Sequence, residues 1–561
     1  MKEFLNHIVS WFAHIGVILV ILFFIFVWYL ARNWLVKMYY FLEDYTTGFF
    51  KVRDRMAFST HESLEELVHT PAEDRYRPYS LELGKIDKSL YDELIRIPGA
   101  YRATHMYIVG ASGAGKSSLM KNLIIQDIQS EMGLCVIDPH GDLVHDLIPF
   151  LGKRKANTLI LNLEDTDNML AYNPLERRDG VLVSEQVAKL ILAFKRIWGD
   201  SWGARMEDIL RHTLALLIEH GYTLSEFERL LTDADFRNLL IDKSEIDQTK
   251  EFFQGRYNTW NAKERSLFIE SSLNKVSAFL ADRRIGARLS QPKSSFSVKE
   301  VMDTGGILLV NLGKGRLAGN ADLFGSLLMA DIEMSFLTRK ENERRPFALY
   351  VDEFQNIATE SFDSVLAEAR KFGLCLTMAH QSLKQLDDKL VALILGNAQT
   401  QVYFRVSRQD AERLSKESEN IVRHLEAKED KLLQEPENKF TLPEMWEIAF
   451  HNLARLEFRQ AYVMIKGVLE YPIKINTLDT PSARPDPFVY SEKYLSLDVL
   501  EKQGKGRKQG IEAELRALLE APEPKGEEPS EAPPDLGFLE GKPPEQPPKA
   551  LTDLGFLEVK G

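Results

Sequence analysis

The chain has 561 residues, of which 44% are hydrophobic and 27% are charged, and its formal net charge is −13. This length exceeds what one core can hold, and at about 100 to 200 residues per domain it allows three or four units. The negative net charge argues against a protein whose whole surface is basic and binds nucleic acid. It is compatible with a basic channel inside an acidic shell.

The N-terminal residues predict a membrane anchor over residues 1–50. Ile8 to Leu30 are 23 residues without a formal charge, enough for a helix to cross a hydrocarbon core of about 30 Å. The run is longer than a signal-peptide core of about 7 to 15 residues, and no small-residue cleavage site follows it. Five lysines and arginines between residues 32 and 55 favour an orientation with the C-terminal bulk in the cytoplasm. Lys37, Glu43 and Asp44 in the next apolar stretch argue against a second span, so one span is predicted. We therefore expect a location at the cytoplasmic membrane.

Residues 51–103 mix helical patches with proline and glycine breaks, which predicts a neck. From Thr104 short apolar strands alternate with amphipathic helices, as in an α/β fold with a mostly parallel sheet covered on both faces. The strand candidates are residues 105–110, 134–138, 158–163, 306–312, 347–353, 374–380 and 400–406.

The strand and helix alternation stops between residues 182 and 291. Long runs there carry apolar residues at i, i+3, i+4 and i+7, the spacing of amphipathic helices. This pattern predicts an all-helical insertion, 182–291, inside an α/β domain made of residues 104–181 and 292–480.

A C-terminal extension, residues 481–519, is predicted to lead into a disordered tail, 520–561. The tail holds nine of the chain's 23 prolines, many acids and few large apolar residues, so it cannot bury enough surface to order itself. The hexamer DLGFLE occurs twice in it, at Asp535–Glu540 and Asp553–Glu558. These copies are either paired docking motifs for a multimeric partner or a duplication without function.

A glycine-rich loop follows the first strand candidate after Thr104. Gly110, Gly115, Lys116 and Ser117 fit the pattern G-x-x-x-x-G-K-[ST], in which backbone N–H groups surround phosphate oxygens at a helix N-terminus. Lys116 is expected to reach the β and γ phosphates of ATP, and the Ser117 hydroxyl to bind Mg²⁺. The predicted nucleotide-binding residues are Gly110, Ala111, Ser112, Gly113, Ala114, Gly115, Lys116, Ser117 and Ser118.

Two acids end a later strand candidate, in the run FALYVDEFQN. Asp352 is predicted to hold Mg²⁺ through water, and Glu353 to polarise the water that attacks the γ phosphate. Ligands gather at the C-terminal edge of open parallel sheets, which is where both acids would lie. The pairing predicts hydrolysis rather than binding alone.

The next strand candidate ends at Gln381. If this strand lies between the other two, Gln381 can hydrogen-bond the attacking water or the γ phosphate; the alternative is a glutamine that caps a turn. Arg405 and Arg408 follow the last strand candidate and are candidate charge-stabilising fingers across a subunit interface, with a surface pair to Asp410 as the alternative.

Two further segments have open interpretations. The turn DPHGD, Asp138–Asp142, either approaches the nucleotide or an adjacent subunit, or simply ends a strand. Lys314 and Arg316 lie among glycines in NLGKGRLAG, so they are either part of a DNA-tracking pore loop or of a solvated turn, and the turn is the favoured interpretation.

Taken together, these motifs resemble the membrane-anchored coupling ATPases of bacterial conjugation and type IV secretion, within the HerA/FtsK-like group of hexameric DNA pumps. The resemblance covers residues 105 to about 475 and rests on GASGAGKSS, VIDPHGDL, AYNPLE, GGILLVNLGKGRLAG, the run from LYVDEFQN to MAHQSLKQL, and ILGNAQTQVYFRVSRQDAERLSKE. Members usually have two membrane spans, whereas one is predicted here.

The resemblance implies a RecA/ASCE-like P-loop NTPase with an inserted all-helical domain. It also implies a homo-hexamer at the bacterial inner membrane, ATP with Mg²⁺, passage of DNA or a protein–DNA complex through a central channel, and secretion-channel or relaxosome proteins as partners. By this resemblance, Lys116 and Ser117 correspond to the phosphate-loop residues of the family, and Asp352 and Glu353 to its acidic strand end. Gln381 corresponds to its sensor residue. The alternative function is a membrane-tethered ATPase that moves or assembles proteins without DNA.

Overall fold

The computed structural model of the protein describes residues 79–87, 93–358, 362–417, 442–469 and 472–520. The predicted span at Ile8–Leu30 and both copies of DLGFLE lie outside these ranges. Within these ranges, no helix combines the length and the apolar composition that a membrane crossing requires.

A sheet of eleven strands organises the described residues. Its order is β2-β1-β11-β10-β9-β3-β8-β7-β4-β6-β5. All neighbours from β9 to β5 run parallel, and all neighbours from β9 to β2 run antiparallel. The strands are β1 Leu81–Ile86, β2 Leu94–Ile97, β3 Met106–Val109, β4 Gly133–Asp138, β5 Thr158–Asn162, β6 Ile307–Asn311, β7 Phe347–Val351, β8 Leu374–His380, β9 Thr400–Tyr403, β10 Gln460–Ile465 and β11 Ile473–Thr477.

The parallel part of the sheet is the centre of the core. Strands β3, β4, β6, β7, β8 and β9 are buried at every residue, because helices cover both faces. Such strands show as largely apolar runs in the sequence, and each of the seven predicted strand segments overlaps one of the strands β3 to β9.

The antiparallel part of the sheet includes residues outside the predicted α/β domain. Strands β1 and β2 lie in 51–103, the segment predicted as a neck, and β10 and β11 were not predicted as strands. Of these strands, β1, β2 and β11 are partly exposed and carry charged residues such as Lys85, Arg96 and Lys474. A short, half-buried strand with charges has no long apolar run to reveal it.

Eighteen α-helices accompany the sheet in the described ranges. They are α1 Gly99–Arg102, α2 Lys116–Gln129, α3 Asp142–Leu147, α4 Val183–Trp198, α5 Ala204–Glu219, α6 Phe227–Thr232, α7 Ala234–Lys243, α8 Asp247–Glu251, α9 Ala262–Leu280, α10 Arg283–Leu289, α11 Val298–Thr304, α12 Lys314–Leu317, α13 Gly319–Leu337, α14 Phe362–Glu368, α15 Asp388–Asn397, α16 Arg408–Glu417, α17 Leu442–Ala454 and α18 Leu497–Glu520.

Helices α4 to α10 lie between β5 and β6 in the chain, and Val183–Leu289 contains helical elements without a strand. The first of them, α4, packs against α13, whose side chains are buried nearly all round. Lys189 of α4 forms an ion pair with the buried Glu333 of α13, and Gln186 donates to the carbonyls of Pro174 (3.1 Å) and Glu176 (2.9 Å). The insertion is therefore fastened to the sheet domain through α4.

After β11 the chain returns to the far side of the sheet. Leu495 exchanges two backbone hydrogen bonds with Met169, and the Ile160 N–H donates to the Tyr494 hydroxyl at 2.7 Å. The residues up to Gly506 form one unit, and from Arg507 the rest of α18 belongs to a second unit.

Candidate active site

The strand order brings three of the predicted site segments together. Strand β8 lies between β3 and β7, with Val109 opposite His380 and Val351 opposite Met378. The glycine-rich loop after β3, Gln381 after β8 and the acids after β7 consequently share the C-terminal edge of the parallel strands. The condition placed on Gln381 in the sequence analysis is met.

The glycine-rich loop is held by the end of β9. The Ala111 N–H donates to the Arg405 carbonyl at 2.7 Å, and a Cβ on Gly110 would lie 2.5 Å from the Cβ of Phe404. Gly115 has φ +116°, a backbone conformation that L side chains rarely adopt, and the next residue begins α2. Glycine at these two positions lets the loop fold closely against its support and turn into the helix.

Lys116 is buried inside this loop. Its Nζ donates to the carbonyls of Gly110 at 2.6 Å and Ala111 at 3.3 Å. Burial lowers the pKa of the Lys116 ammonium, and the nearby carboxylates of Glu353 and Asp352 oppose that shift. The loop thus holds a cation where phosphate oxygens could replace the two carbonyls as acceptors.

Asp352 follows β7 and is anchored at its backbone. Its N–H donates to the Ile137 carbonyl at 3.0 Å, and its Oδ1 accepts from the Glu353 N–H at 3.0 Å. Burial raises the pKa of Asp352 to about 6, with added contributions from the carboxylates of Glu353 and Asp138. A divalent cation would relieve this crowding of negative charge.

Glu353 has a left-handed backbone conformation, with φ 45° and ψ 47°. Both oxygens of its carboxylate accept hydrogen bonds from glutamine amides. Gln381 Nε2 donates to Oε1 at 2.5 Å, and Gln355 Nε2 donates to Oε2 at 2.6 Å. The carboxylate is therefore fixed in orientation from two sides, as a general base must be.

The residues present fit a magnesium ion of the kind that phosphate loops use. Ser117 is exposed at the start of α2, and Asp352 ends the strand beyond β8. Within the described residues, no group of three His, Cys, Asp or Glu side chains could hold a metal ion. Mg²⁺ does not need such a group, because it commonly binds one or two protein oxygens together with substrate phosphates and water.

Asp138 has a structural task in this region. Its carboxylate accepts from the backbone N–H groups of His140 (2.9 Å), Leu143 (2.9 Å) and Val144 (3.2 Å), and so begins helix α3. The turn Asp138–Asp142 thus matches the strand-ending alternative. The negative charge of Asp138 still affects the site, because it contributes to the raised pKa of Asp352.

The candidate arginine fingers, Arg405 and Arg408, follow β9, the strand whose end holds the glycine-rich loop. Arg405 is exposed, and its main-chain carbonyl accepts from the Ala111 N–H of the glycine-rich loop. The Arg408 guanidinium lies 5.6 Å from the centre of the Phe450 ring. Among the described ion pairs there is none between Arg408 and Asp410, and the buried Asp410 carboxylate accepts from the Ser407 hydroxyl at 2.9 Å.

Lys314 and Arg316 lie in the short helix α12 rather than in an extended loop. Lys314 is 3.0 Å from Asp322, and Arg316 is 3.1 Å from Glu164. Both cations thus have carboxylate partners within the chain, which agrees better with the solvated turn than with the pore loop.

Two residues at the site escaped the sequence analysis. Gln355 lies two positions after Glu353, and a glutamine in a loop carries no motif of its own. Arg459 precedes β10, and its N–H donates to the Ala114 carbonyl at 2.9 Å while its Cα would lie 3.1 Å from a Cβ on Gly115. Only the folded sheet reveals this support, since the two segments are far apart in the chain.

Comparisons with known proteins give a family and several similar structures. A family model described as the type IV secretion-system coupling protein DNA-binding domain matches residues 94–424. A search of curated protein sequences gives no match.

Among solved structures, the unbound bacterial conjugative coupling protein TrwBΔN70 is 19% identical, with 71% of this chain and 90% of that chain covered and a TM-score of 0.47. TrwB in complex with ADP and Mg²⁺ is 18% identical, with the same coverage and a TM-score of 0.45. VirB4 of Thermoanaerobacter pseudethanolicus is 14% identical, with 72% and 96% covered and a TM-score of 0.46.

Proposed function

The chain belongs to the type IV secretion-system coupling proteins, since the family model covers more than half of its length, and on that premise we propose that it is an ATPase that moves DNA. The substrate is DNA alone or a protein–DNA complex. The description of the matched family as a DNA-binding domain supports this choice over transport of protein without DNA.

The placement of Glu353 is the observation that carries the proposal of hydrolysis. Its carboxylate is held by Gln381 from the strand that separates it from the glycine-rich loop. A nucleotide whose phosphates occupy the loop has its γ phosphate on the side of β8 and β7. Glu353 then takes a proton from a water whose oxygen attacks the γ phosphorus, while the bond to ADP breaks.

The other residues of the site bind and orient the nucleotide. Lys116 neutralises charge on the β and γ phosphates, and the backbone N–H groups from Gly110 to Ser118 surround their oxygens. Ser117 and Asp352 would hold Mg²⁺, which offsets the negative charge of the phosphates when bound. Gln381 contacts Glu353 directly and so links the presence of a γ phosphate to the position of the base.

The assembly and location are part of the same proposal. We propose a homo-hexameric ring in the cytoplasm, anchored by the single span over residues 8–30 to the bacterial inner membrane, with secretion-channel or relaxosome proteins as partners. The charge-free stretch and the lysines and arginines after it support the anchor. Arg405, exposed next to the glycine-rich loop, is proposed to act on the nucleotide of the neighbouring subunit.

ATPase assays of the full-length chain with single-stranded DNA, duplex DNA and no DNA test this function. We expect at least one DNA to raise turnover, with an effect that falls as salt increases. The variant Glu353→Gln should lose turnover by about 100-fold or more while it still binds ATP, because the base is removed and the phosphate loop is intact.

Turnover near the wild-type level in Glu353→Gln would remove Glu353 as the base. Stimulation by neither DNA, in a fraction verified as hexameric, would favour the alternative ATPase that moves or assembles proteins.

A further inference from the structure

Gln355 is buried beside Glu353, and its backbone is tied to the helical insertion. We propose that Gln355 is a second positioning residue for Glu353, and that Arg196 of α4 anchors Gln355 and so connects the insertion to hydrolysis. This inference rests on the proposed ATPase function. It assigns roles in that function to Gln355 and Arg196, and it describes a route by which the insertion can affect hydrolysis.

The first step is the division of labour between the two glutamines. Gln381 reaches Glu353 from a different strand and is partly exposed. Gln355 belongs to the same turn as Glu353, because the Asn356 N–H donates to the Glu353 carbonyl at 3.0 Å and a 3₁₀ helix spans Phe354–Asn356. Gln381 can therefore leave the carboxylate to meet the γ phosphate or the water, while Gln355 moves with Glu353 and keeps its orientation.

The second step concerns the other atom of the Gln355 amide. Its Nε2 is used by Glu353, while Oε1 is buried and has no hydrogen-bond partner among the described residues. A buried acceptor without a hydrogen-bond partner is unfavourable. A water beside the Glu353 carboxylate would satisfy it, and the amide would then orient the base and the water together.

The third step leads out of the site. Arg196, in the last turn of α4, donates from Nη2 to the Gln355 main-chain carbonyl at 2.7 Å. Helix α4 is itself fixed to the sheet domain by Gln186 and Lys189. A displacement of the C-terminal end of α4 therefore shifts Gln355, which orients Glu353. The insertion can thereby change the rate of hydrolysis without contacting the nucleotide.

Steady-state ATPase kinetics of full-length variants test the proposal. We expect Gln355→Ala to lower kcat by about 10- to 100-fold and Arg196→Ala by about 3- to 10-fold, with KM for ATP within about twofold of wild type in both. Arg196→Lys should recover part of the loss because it keeps a cationic donor. Lys195→Ala, the adjacent cation on the same helix, is the matched control and should leave kcat unchanged.

The double variant distinguishes an indirect role from a general structural one. If Arg196 acts through the Gln355 amide, Arg196→Ala combined with Gln355→Ala should be no slower than Gln355→Ala alone. Losses that multiply would overturn the connection, and a Gln355→Ala enzyme with kcat within twofold of wild type would overturn the positioning role. Gln355→Glu, of nearly equal size but without the donor, should lose kcat to at least the same extent and covers the case in which the alanine variant fails to fold.

The wild-type enzyme and Glu353→Gln separate this inference from the proposed function. ATP turnover that depends on Glu353, together with an unaffected Gln355→Ala enzyme, would overturn the inference alone. A wild-type chain whose ATP turnover does not depend on Glu353 would overturn both.

Discussion

Glu353 occupies a backbone region that costs a non-glycine residue about 1–3 kcal/mol, and such conformations persist where the surroundings hold them. Here the surroundings are the two glutamine amides and the turn that follows β7. The sequence motifs predicted Lys116, Asp352, Glu353 and Gln381 because each ends or follows an apolar strand run. Gln355 and Arg459 were beyond prediction, because their roles come from contacts that no local pattern encodes.

A second residue-scale feature is His105, which also has a left-handed backbone (φ 65°) and is buried at the start of β3. Its Nδ1 accepts from the Leu376 N–H at 3.3 Å. Burial, with a smaller effect of the charge of Arg370, lowers the pKa of His105 to about 4. The neutral ring is therefore the form that the folded chain accommodates.

This shift predicts how stability depends on pH. In the unfolded chain His105 is protonated below its ordinary pKa of about 6.5, whereas in the folded chain it stays neutral down to about pH 4. The contribution of neutral His105 to stability is therefore fully present above about pH 6.5 and is lost as the pH falls toward 4. Asparagine tolerates the same backbone and can accept from Leu376 but does not titrate. In urea unfolding, the stability gap between wild type and His105→Asn should narrow by about 2 kcal/mol between about pH 7 and pH 5. A gap that stays constant across this range would contradict the assignment of a neutral buried ring.

At the scale of elements, the glycine-rich loop depends on its contact with the end of β9. Gly110→Ala would place a Cβ 2.5 Å from the Phe404 Cβ, and neither atom can rotate away, so the loop must shift. We expect a stability loss of about 1–3 kcal/mol and an ATP affinity lowered by about tenfold or more.

Gly203→Ala is the control for this variant, because its new Cβ would have no heavy atom within 4 Å and its φ of −142° suits any residue. Thermal melting and nucleotide-binding titrations compare the two. Equal behaviour of the two alanine variants would show that the loop does not require its close approach to β9.

The elements also show what the sequence could and could not predict. The seven parallel strands carry mostly apolar residues at their buried positions, so the strand runs were visible, as were the helices between β5 and β6. The antiparallel strands β1, β2 and β11 were missed since they mix charged and apolar residues without a long run. Their place in the sheet depends on pairing between distant segments, such as Gly84 with Thr477, which a local pattern cannot specify.

At the scale of the whole molecule, the proposed hexamer and the exposure of Arg405 together predict that neighbouring subunits share active sites. Homogeneous Arg405→Ala and homogeneous Glu353→Gln enzymes should both be nearly inactive. In an equal mixture with subunit exchange, about a quarter of the sites combine an intact Glu353 with an intact Arg405 from the next subunit, and a similar fraction of activity should return. Activity of the mixture no higher than that of the separate variants would exclude the shared site.

The antiparallel edge of the sheet also fixes an order of events during synthesis of the protein. Strand β1 leaves the ribosome long before its partner β11, and at about 5–20 residues per second the interval is of the order of 20 to 80 s. Arg459, which supports the glycine-rich loop at Ala114, belongs to the same late segment. A chain that ends between Gln381 and Arg459 contains every motif that predicts hydrolysis but lacks this support of the loop, so we expect such a chain not to hydrolyse ATP.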